Sequence, residues 1–542
     1  MKKLLAIVLA LFMLTAVVLL ASCGESTTPD STTAAPAPGQ STEHEGYNAP
    51  DATTAGGNTP ATQGGDTPAT QEATPSGTTP TTPTEKTSGG TTPSPEGDGY
   101  SKPAGYLDVD FGGRTFNFVT TADQSDNEGR WETANEIAVE SRTGGTIIDT
   151  AVYDRNAVMK RLYNCEIKAT TGAMTLIEND VNSGTNEYDF GSAEYMWFGG
   201  NTSGYYINLY DLDLNFDLPG WNQSLIDEMT IKDKNGVDKL YLVDGDFNVI
   251  GYKGTWVLYC NLDLYNQNFS ESIFDIVNRG EWTIDKMMEM VSAVAQDNGD
   301  QTWTPGDDIY GLMSSTYNPP ALATSMGIRL IAVDPETHSL STSVEQITGN
   351  NAVEAVSKAC QLYALGGVYT GSYSTAREQL EAGKTLFMGE VLDVLERMKD
   401  NENLNVTVLP HPLFAAQENP DYKFYVNEKT SWFKISKNAC GGDRDMIADF
   451  LNVFIYHSNK IVYPAFRQTF GSVYCQDERA MEMLDYIING RHYDLGYYKG
   501  VMGQITTMIT GGKNDLARAA NKYKNTLQGY IDDLLDAMTK SE

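Results

Sequence analysis

Basic residues are scarce in this chain. Its 542 residues hold 38 Lys and Arg against 72 Asp and Glu, a formal net charge of −34 and a pI near 4.4. Such a surface repels a phosphate backbone, which excludes nucleic-acid binding. Histidine and cysteine are nearly as rare, at five and six. The histidines outside the N-terminal tail (His338, His411, His457, His492) show no ligand spacing, and there is no His-Glu-x-x-His. No Gly-x-Ser-x-Gly elbow is present. Gly383-Lys384-Thr385 lacks the glycine five residues earlier that a phosphate loop requires; Glu378 stands there, so the stretch reads as a turn. Past Cys23 come Cys165, Cys260, Cys360, Cys440 and Cys475, an odd set too widely spaced for a zinc site or a disulfide framework. They read as buried thiols, with a Cys440–Cys475 bridge left open. Beyond the first 20 residues no apolar run is long enough to cross a bilayer, and no internal repeat is visible.

What is present begins with a basic Met1-Lys2-Lys3 and an apolar run, Leu4 to Leu20, closed by small residues. Charge at the extreme end and small residues at the break mark a signal peptide over 1–22. Leu20-Ala21-Ser22-Cys23 resembles the lipobox of bacterial lipoproteins. That resemblance implies cleavage before Cys23 and acylation of its thiol, with two or three chains giving stable attachment to a membrane. From Cys23 to residue 103 the chain is Thr, Pro, Gly, Ser and Ala with almost no large aliphatics. It cannot bury enough apolar surface to offset its ordering entropy, so it is expected to be a disordered linker of roughly 50 Å reach. The Thr-Pro runs leave glycosylation open.

The remaining 440 or so residues are too many for one ordinary core, so more than one lobe is expected. Thr115–Val119 alternates like a strand. Ile148, Val152, Met159 and Leu162 recur at helical spacing behind a capping Thr146. Cys165–Ala169 reads as a second strand and Tyr188–Ala193 as a third, an α/β opening. Lys239–Val243 and Thr255–Cys260 read as extended, and Thr283 as the cap of a helix striped by Ile284, Met288 and Val291. Further on, Ala352–Leu365 and Val391–Met398 read as helices, Leu404–Leu409 and Trp432–Ile435 as strands, and Met446–His457 and Asn514–Met538 as helices.

Two features bear on ligands. Laid on a calcium loop, Gln296–Asp307 places Asn298, Asp300 and Asp307 at ligand positions 3, 5 and 12, but Gln296 and Gln301 hold positions 1 and 6. No cofactor is required; calcium is the one ion this loop leaves open. Aromatic side chains fall where strands end: Tyr195, Trp197, Tyr252, Trp256, Tyr317 and Trp432. Flat rings with polar tips at loop ends suit stacking on sugars.

The order of segments resembles the extracellular solute-binding proteins of ABC importers, in the class that includes maltose-binding protein. Trp256–Tyr265 (WVLYCNLDLY) resembles the hinge strand of that family, with Cys-Asn-Leu-Asp where a Tyr-Asn-Lys-Asp tetrad is usual. Glu281–Met287 resembles its Thr-Trp-Asp-Glu-Leu helix start, Leu380–Gly389 its Gly-Lys turn before an apolar strand, and Val406–Pro412 its return hinge. Trp432–Lys437 with Met446–Tyr456 resembles the recrossing strand and helix, and Asp477–Gly496 a stretch common in lipoproteins of the class. The resemblance implies a two-lobed α/β periplasmic-binding-protein (type II) fold with a central cleft. It places 104–250 plus 411–470 in one lobe and 251–410 plus 471–542 in the other. It implies a monomer that binds a small solute, most commonly a sugar, and docks on membrane permease subunits without chemistry of its own. The only membrane contact is the N-terminal lipid, on the outer face of the cell membrane. The ligand positions it implies are Tyr195, Trp197, Asp246, Tyr252, Trp256, Glu390 and Trp432, with Asp246 and Glu390 accepting from hydroxyls. A surface adhesin or peptide-binding lipoprotein, and a surface glycan hydrolase, are the alternatives.

Overall fold

The computed structural model describes residue 102 and residues 107–121, 133–194, 204–401, 403–427, 429–475, 477–496 and 501–540. The leader, Cys23, the linker up to residue 101, Tyr195 and Trp197 lie outside these.

Nine strands build two open sheets. Three come early, β1 (Arg114–Thr120), β2 (Cys165–Thr171) and β3 (Phe190–Glu194). Five follow, β4 (Trp256–Asn261), β5 (Tyr310–Ser315), β6 (Val368–Gly371), β7 (Thr385–Val391) and β8 (Val406–Leu409), and the chain then returns for β9 (Ser431–Ile435). The first sheet runs β9-β3-β1-β2, with β9 antiparallel to an otherwise parallel set. The second runs β6-β5-β7-β4-β8, with β6, β5 and β7 parallel and β4 antiparallel to both its neighbours. Both sheets belong to one unit spanning Thr87–Glu542. The expected two-lobed α/β architecture is present.

Local chemistry sets the elements. Helix α1 (Ile147–Tyr163) opens on a capping box: Asp149 N–H donates to Thr146 Oγ1 at 3.0 Å and Thr146 N–H donates to Asp149 Oδ2 at 2.7 Å. Asn164 ends it in the left-handed region, φ 52°. Phe116, Phe118 and Phe190 alternate onto one face of the first sheet. There they meet α4 (Arg444–Gln468; α2 is Ile284–Val294 and α3 Asn350–Tyr363), with Phe116 stacked on Phe450 at 3.7 Å. In the second sheet β4 and β7 are buried along their whole length, as central strands covered on both faces must be. Gly389 in β7 is a packing requirement, because a Cβ there would stand 2.3 Å from the Asn318 side chain.

The chain passes between the sheets along three segments. The first follows β3 and enters β4, the second joins β8 to β9, and the third runs from α4 through α5 (Ala480–Asn489) and Arg491–Asp494. They lie side by side. Thr255 bridges Val426, and Phe424–Tyr425 pairs with Arg491–His492.

Some readings need correction. Lys239–Val243 is not one strand. Only Asp238–Lys239 is, and Val243 separately bridges Phe433 beside β9. Val391–Met398 is a strand end followed by a single turn, Val394–Arg397. Met446–His457 is part of a 25-residue helix that continues through Pro464. No Cys440–Cys475 bridge forms; all five cysteines of the folded part are free and buried, and burial pushes the Cys165, Cys440 and Cys475 thiols up to about 12.

Candidate functional site

In an open sheet, the carboxyl ends of parallel strands are where ligands meet an α/β protein. In the first sheet this edge carries Thr120, Glu194 and, because β9 runs the other way, Thr430 and Ser431. Thr121 N–H donates to Ser192 Oγ at 2.9 Å, and the Thr121 and Ser431 hydroxyls lie 3.0 Å apart. In the second sheet, strand register sets Gly371, Ser315 and Glu390 side by side, with Trp256 opposite Val391.

The crossings bring the two edges together. Leu392 N–H donates to Thr255 O and Asp393 N–H to Lys253 O, each at 2.9 Å. Asn427 N–H donates to Gly254 O at 2.8 Å, and a Cβ on Gly254 would fall on Thr430 Oγ1. Thr430 of one edge and Trp256 of the other are thus linked through three residues.

Four polar atoms at these edges are buried without a hydrogen-bond partner: Thr120 Oγ1, Thr430 Oγ1, Ser315 Oγ and Trp256 Nε1. Each side chain is at most 5 % exposed. A buried donor or acceptor left unpaired costs about 1–3 kcal/mol, so such atoms are rare in native folds. Others, such as Tyr206 Oη and Tyr310 Oη, lie elsewhere in the fold; these four lie at two edges that the crossings draw together. Just past β5 the ring of Tyr317 is 61 % exposed, the most open of the large apolar side chains among the described residues.

The sequence-derived positions divide. Trp256 and Glu390 lie on the second edge, both buried; Glu390 Oε1 accepts from Val391 N–H at 3.2 Å. Asp246, Tyr252 and Trp432 are engaged by protein. The Tyr252 hydroxyl donates to Asp246 Oδ1, and Asn459 Nδ2 donates to Asp246 Oδ2 at 2.7 Å, so both carboxylate oxygens are occupied. Burial raises the Asp246 pKa to about 6, against the pull of these donors. The Trp432 ring meets Tyr493 edge-on at 5.0 Å. Asn222 Nδ2 donates to the Tyr493 hydroxyl at 2.6 Å and is within 2.5 Å of Asp244 Oδ2. Arg491 Nη1 lies 3.8 Å from the same Asp244 oxygen. Burial opposes the charge on Arg491, yet Tyr493, Tyr252, Asp244 and Asp246 together raise its pKa. Sequence reasoning missed Arg491, whose acidic neighbours Asp244 and Asp246 lie more than 200 positions away. Tyr195 and Trp197 lie outside the described residues.

Asn298, Asp300 and Asp307 lie in a loop of local turns. Asn298 Oδ1 accepts from Asp300 N–H at 3.0 Å and Asp300 Oδ1 from Thr302 N–H at 2.8 Å, turns that hold the loop by its own backbone. Among the described residues no three His, Cys, Asp or Glu side chains are placed to hold an ion, and no helix is long and apolar enough to cross a membrane.

No protein-family model and no curated protein matches this chain. Solved structures do resemble it. UspC of M. tuberculosis aligns with a TM-score of 0.48 at 14% identity, over 78% of this chain and 100% of that one. The ABC substrate-binding protein Lmo0181 from Listeria monocytogenes, in complex with cycloalternan, aligns at 0.46 and 10%, over 77% and 99%. The maltose-binding periplasmic protein MalE from Listeria monocytogenes, in complex with maltose, aligns at 0.43 and 13%, over 79% and 99%.

Proposed function

We propose that this chain captures a small, neutral, polyhydroxylated solute, a sugar or short oligosaccharide, between its two lobes and hands it to an ABC permease in the membrane. One observation carries the reading: buried, partnerless hydroxyl and indole groups lie on two strand edges drawn together by the crossings. A sugar hydroxyl both donates and accepts, so one ligand class satisfies Thr120, Thr430, Ser315 and Trp256 at once. Lys253, on the first crossing beside these edges, is paired with Glu396 at 3.1 Å. Tyr317 offers an exposed ring for stacking. Hinge closure of the lobes then encloses the solute. The protein makes and breaks no bonds. Acylation at Cys23 holds it on the outer face of the membrane, with the linker as spacer and the folded part acting as a monomer.

Isothermal titration with neutral mono- and oligosaccharides tests this on the chain and on Ser315→Ala and Thr430→Val. The expected result is saccharide binding weakened roughly three- to tenfold by each change, the size of one neutral hydrogen bond. Saccharide binding indifferent to both changes refutes the assignment of the edges.

A further inference from the structure

The second crossing opens on Pro410-His411-Pro412, directly after β8. The two prolines have fixed φ and no N–H to offer. The stretch is tied down on one side. Trp282 Nε1 donates to Pro410 O at 2.8 Å, and Leu413 N–H donates to Trp282 O at 2.9 Å. On its other side it grips both ends of the helix Asn318–Ser325, which follows β5 and is buried along its whole length. At the first residue, His411 Nε2 lies 2.8 Å from Asn318 Oδ1. At the last, Ser325 Oγ donates to Pro412 O at 3.3 Å. Asn318 has further ties. Its Nδ2 donates at 3.0 Å to the hydroxyl of Tyr363, the last residue of α3, and that hydroxyl lies 3.3 Å from Ser314 Oγ in β5. The same side chain fills the space beside Gly389 in β7. One buried amide thus joins β7, α3 and the second crossing.

We propose that Asn318 and His411 are positioning residues for the second ligand edge, holding the corner Ser315–Tyr317 between β5 and this helix. The proposal rests on the capture reading and deepens it. Ser315 carries one of the partnerless hydroxyls and Tyr317 the exposed ring, and Asn318 follows them directly in the chain. Gly389 stands opposite Ser314 in register and precedes Glu390, so the seat of Asn318 also fixes where β7 meets the edge. Groups that bind a solute by hydrogen bonds keep their geometry only when their supports are themselves locked by packing and hydrogen bonds. Asn318 and His411 are that support: both are buried, and both ends of the Asn318 amide are engaged by protein. Burial depresses the His411 imidazole to about 3, so the ring meets Asn318 in its neutral form.

The first test needs no solute. The full-length chain with Cys23→Ser is compared with His411→Leu, which removes the ring nitrogens, and His411→Gln, whose amide again pairs with Asn318. Backbone hydrogen exchange is read by mass spectrometry in peptides spanning 310–319, with the corner, and 114–120, in β1. The expected result is exchange roughly tenfold faster in the first peptide of His411→Leu, the effect of one buried hydrogen bond on a local opening. The β1 peptide stays unchanged, and His411→Gln returns the corner to within about twofold of the parent. Tyr363→Phe deletes one oxygen on the other side of Asn318, keeps the ring, and is expected to loosen the same peptide; it decides the question if His411→Leu does not fold. Calorimetry with neutral saccharides is then expected to show binding weakened roughly three- to tenfold by His411→Leu and restored by His411→Gln. Exchange unchanged at the corner, a rise shared equally by β1, or a rise that His411→Gln does not reverse overturns the positioning role. A parent chain that binds no saccharide refutes the capture reading instead, and the exchange measurement still decides whether His411 and Asn318 hold the corner.

Discussion

The guanidinium of Arg491 lies 4.3 Å over the ring of Tyr252, whose other face stacks on Phe466 at 4.7 Å. Both faces of a ring expected to meet a sugar are thus taken by protein. Tyr252 belongs to the hinge: its hydroxyl fixes Asp246 in the first crossing, and Arg491 ties it to the third. Tyr252→Phe removes a donor from a buried carboxylate, and is expected to lower stability by about 1–3 kcal/mol. Solute affinity should stay within about twofold. Denaturant melts and titration calorimetry on the same preparation separate the two.

Trp256 is the opposite case. Its indole N–H is buried and partnerless at the edge of the second sheet. Trp256→Phe keeps an aromatic ring and deletes only that donor and some volume. The expected outcome is a fall in solute affinity of roughly three- to tenfold, with a modest stability loss from the smaller ring. Unchanged affinity with lowered stability would make it a core residue.

Tyr317 allows a test free of folding effects, because its ring is mostly exposed. Tyr317→Ala is expected to leave the melting temperature within about a degree, as surface changes do, while weakening binding by about 1 kcal/mol if the ring stacks on a sugar. Calorimetry and a thermal melt decide it.

Lys434 on β9 is buried, and burial depresses its amine to about 7, with Glu178 pulling the other way. The folded state therefore holds this proton less tightly than the unfolded chain. The resulting penalty is complete below about pH 7 and fades as pH rises toward the ordinary lysine value. Lys434→Met, of similar length, is expected to raise the melting temperature at pH 6, with the gain shrinking by pH 10. An equal gain at both values would assign it to packing alone.

Much of the fold was legible because its signals are local. Thr146 and Thr283 cap the helices they precede, and the Gly383 turn (φ 70°) opens β7. The apolar runs at Thr255–Cys260 and Trp432–Ile435 fall within a residue of β4 and β9. The helical reading of 391–398 failed because β7 is covered on both faces, and a continuous apolar run carries no period. The site was harder to read. Placement at strand ends selected Trp256 alongside Tyr252 and Trp432, and the family resemblance added Asp246 and Glu390, because a ring stacked on an arginine and a ring stacked on a sugar look alike in sequence. Lys434 and Arg491 gave no signal at all; their surroundings are assembled from segments far apart in the chain.

The most direct measurement is the melting temperature of the Thr87–Glu542 unit with neutral saccharides, sugar acids and short peptides in parallel. A ligand bound only by the folded state raises it by mass action. The account predicts a clear rise with a neutral saccharide series and none with the sugar acids or peptides. A rise with peptides alone, or with none of the three, would contradict it.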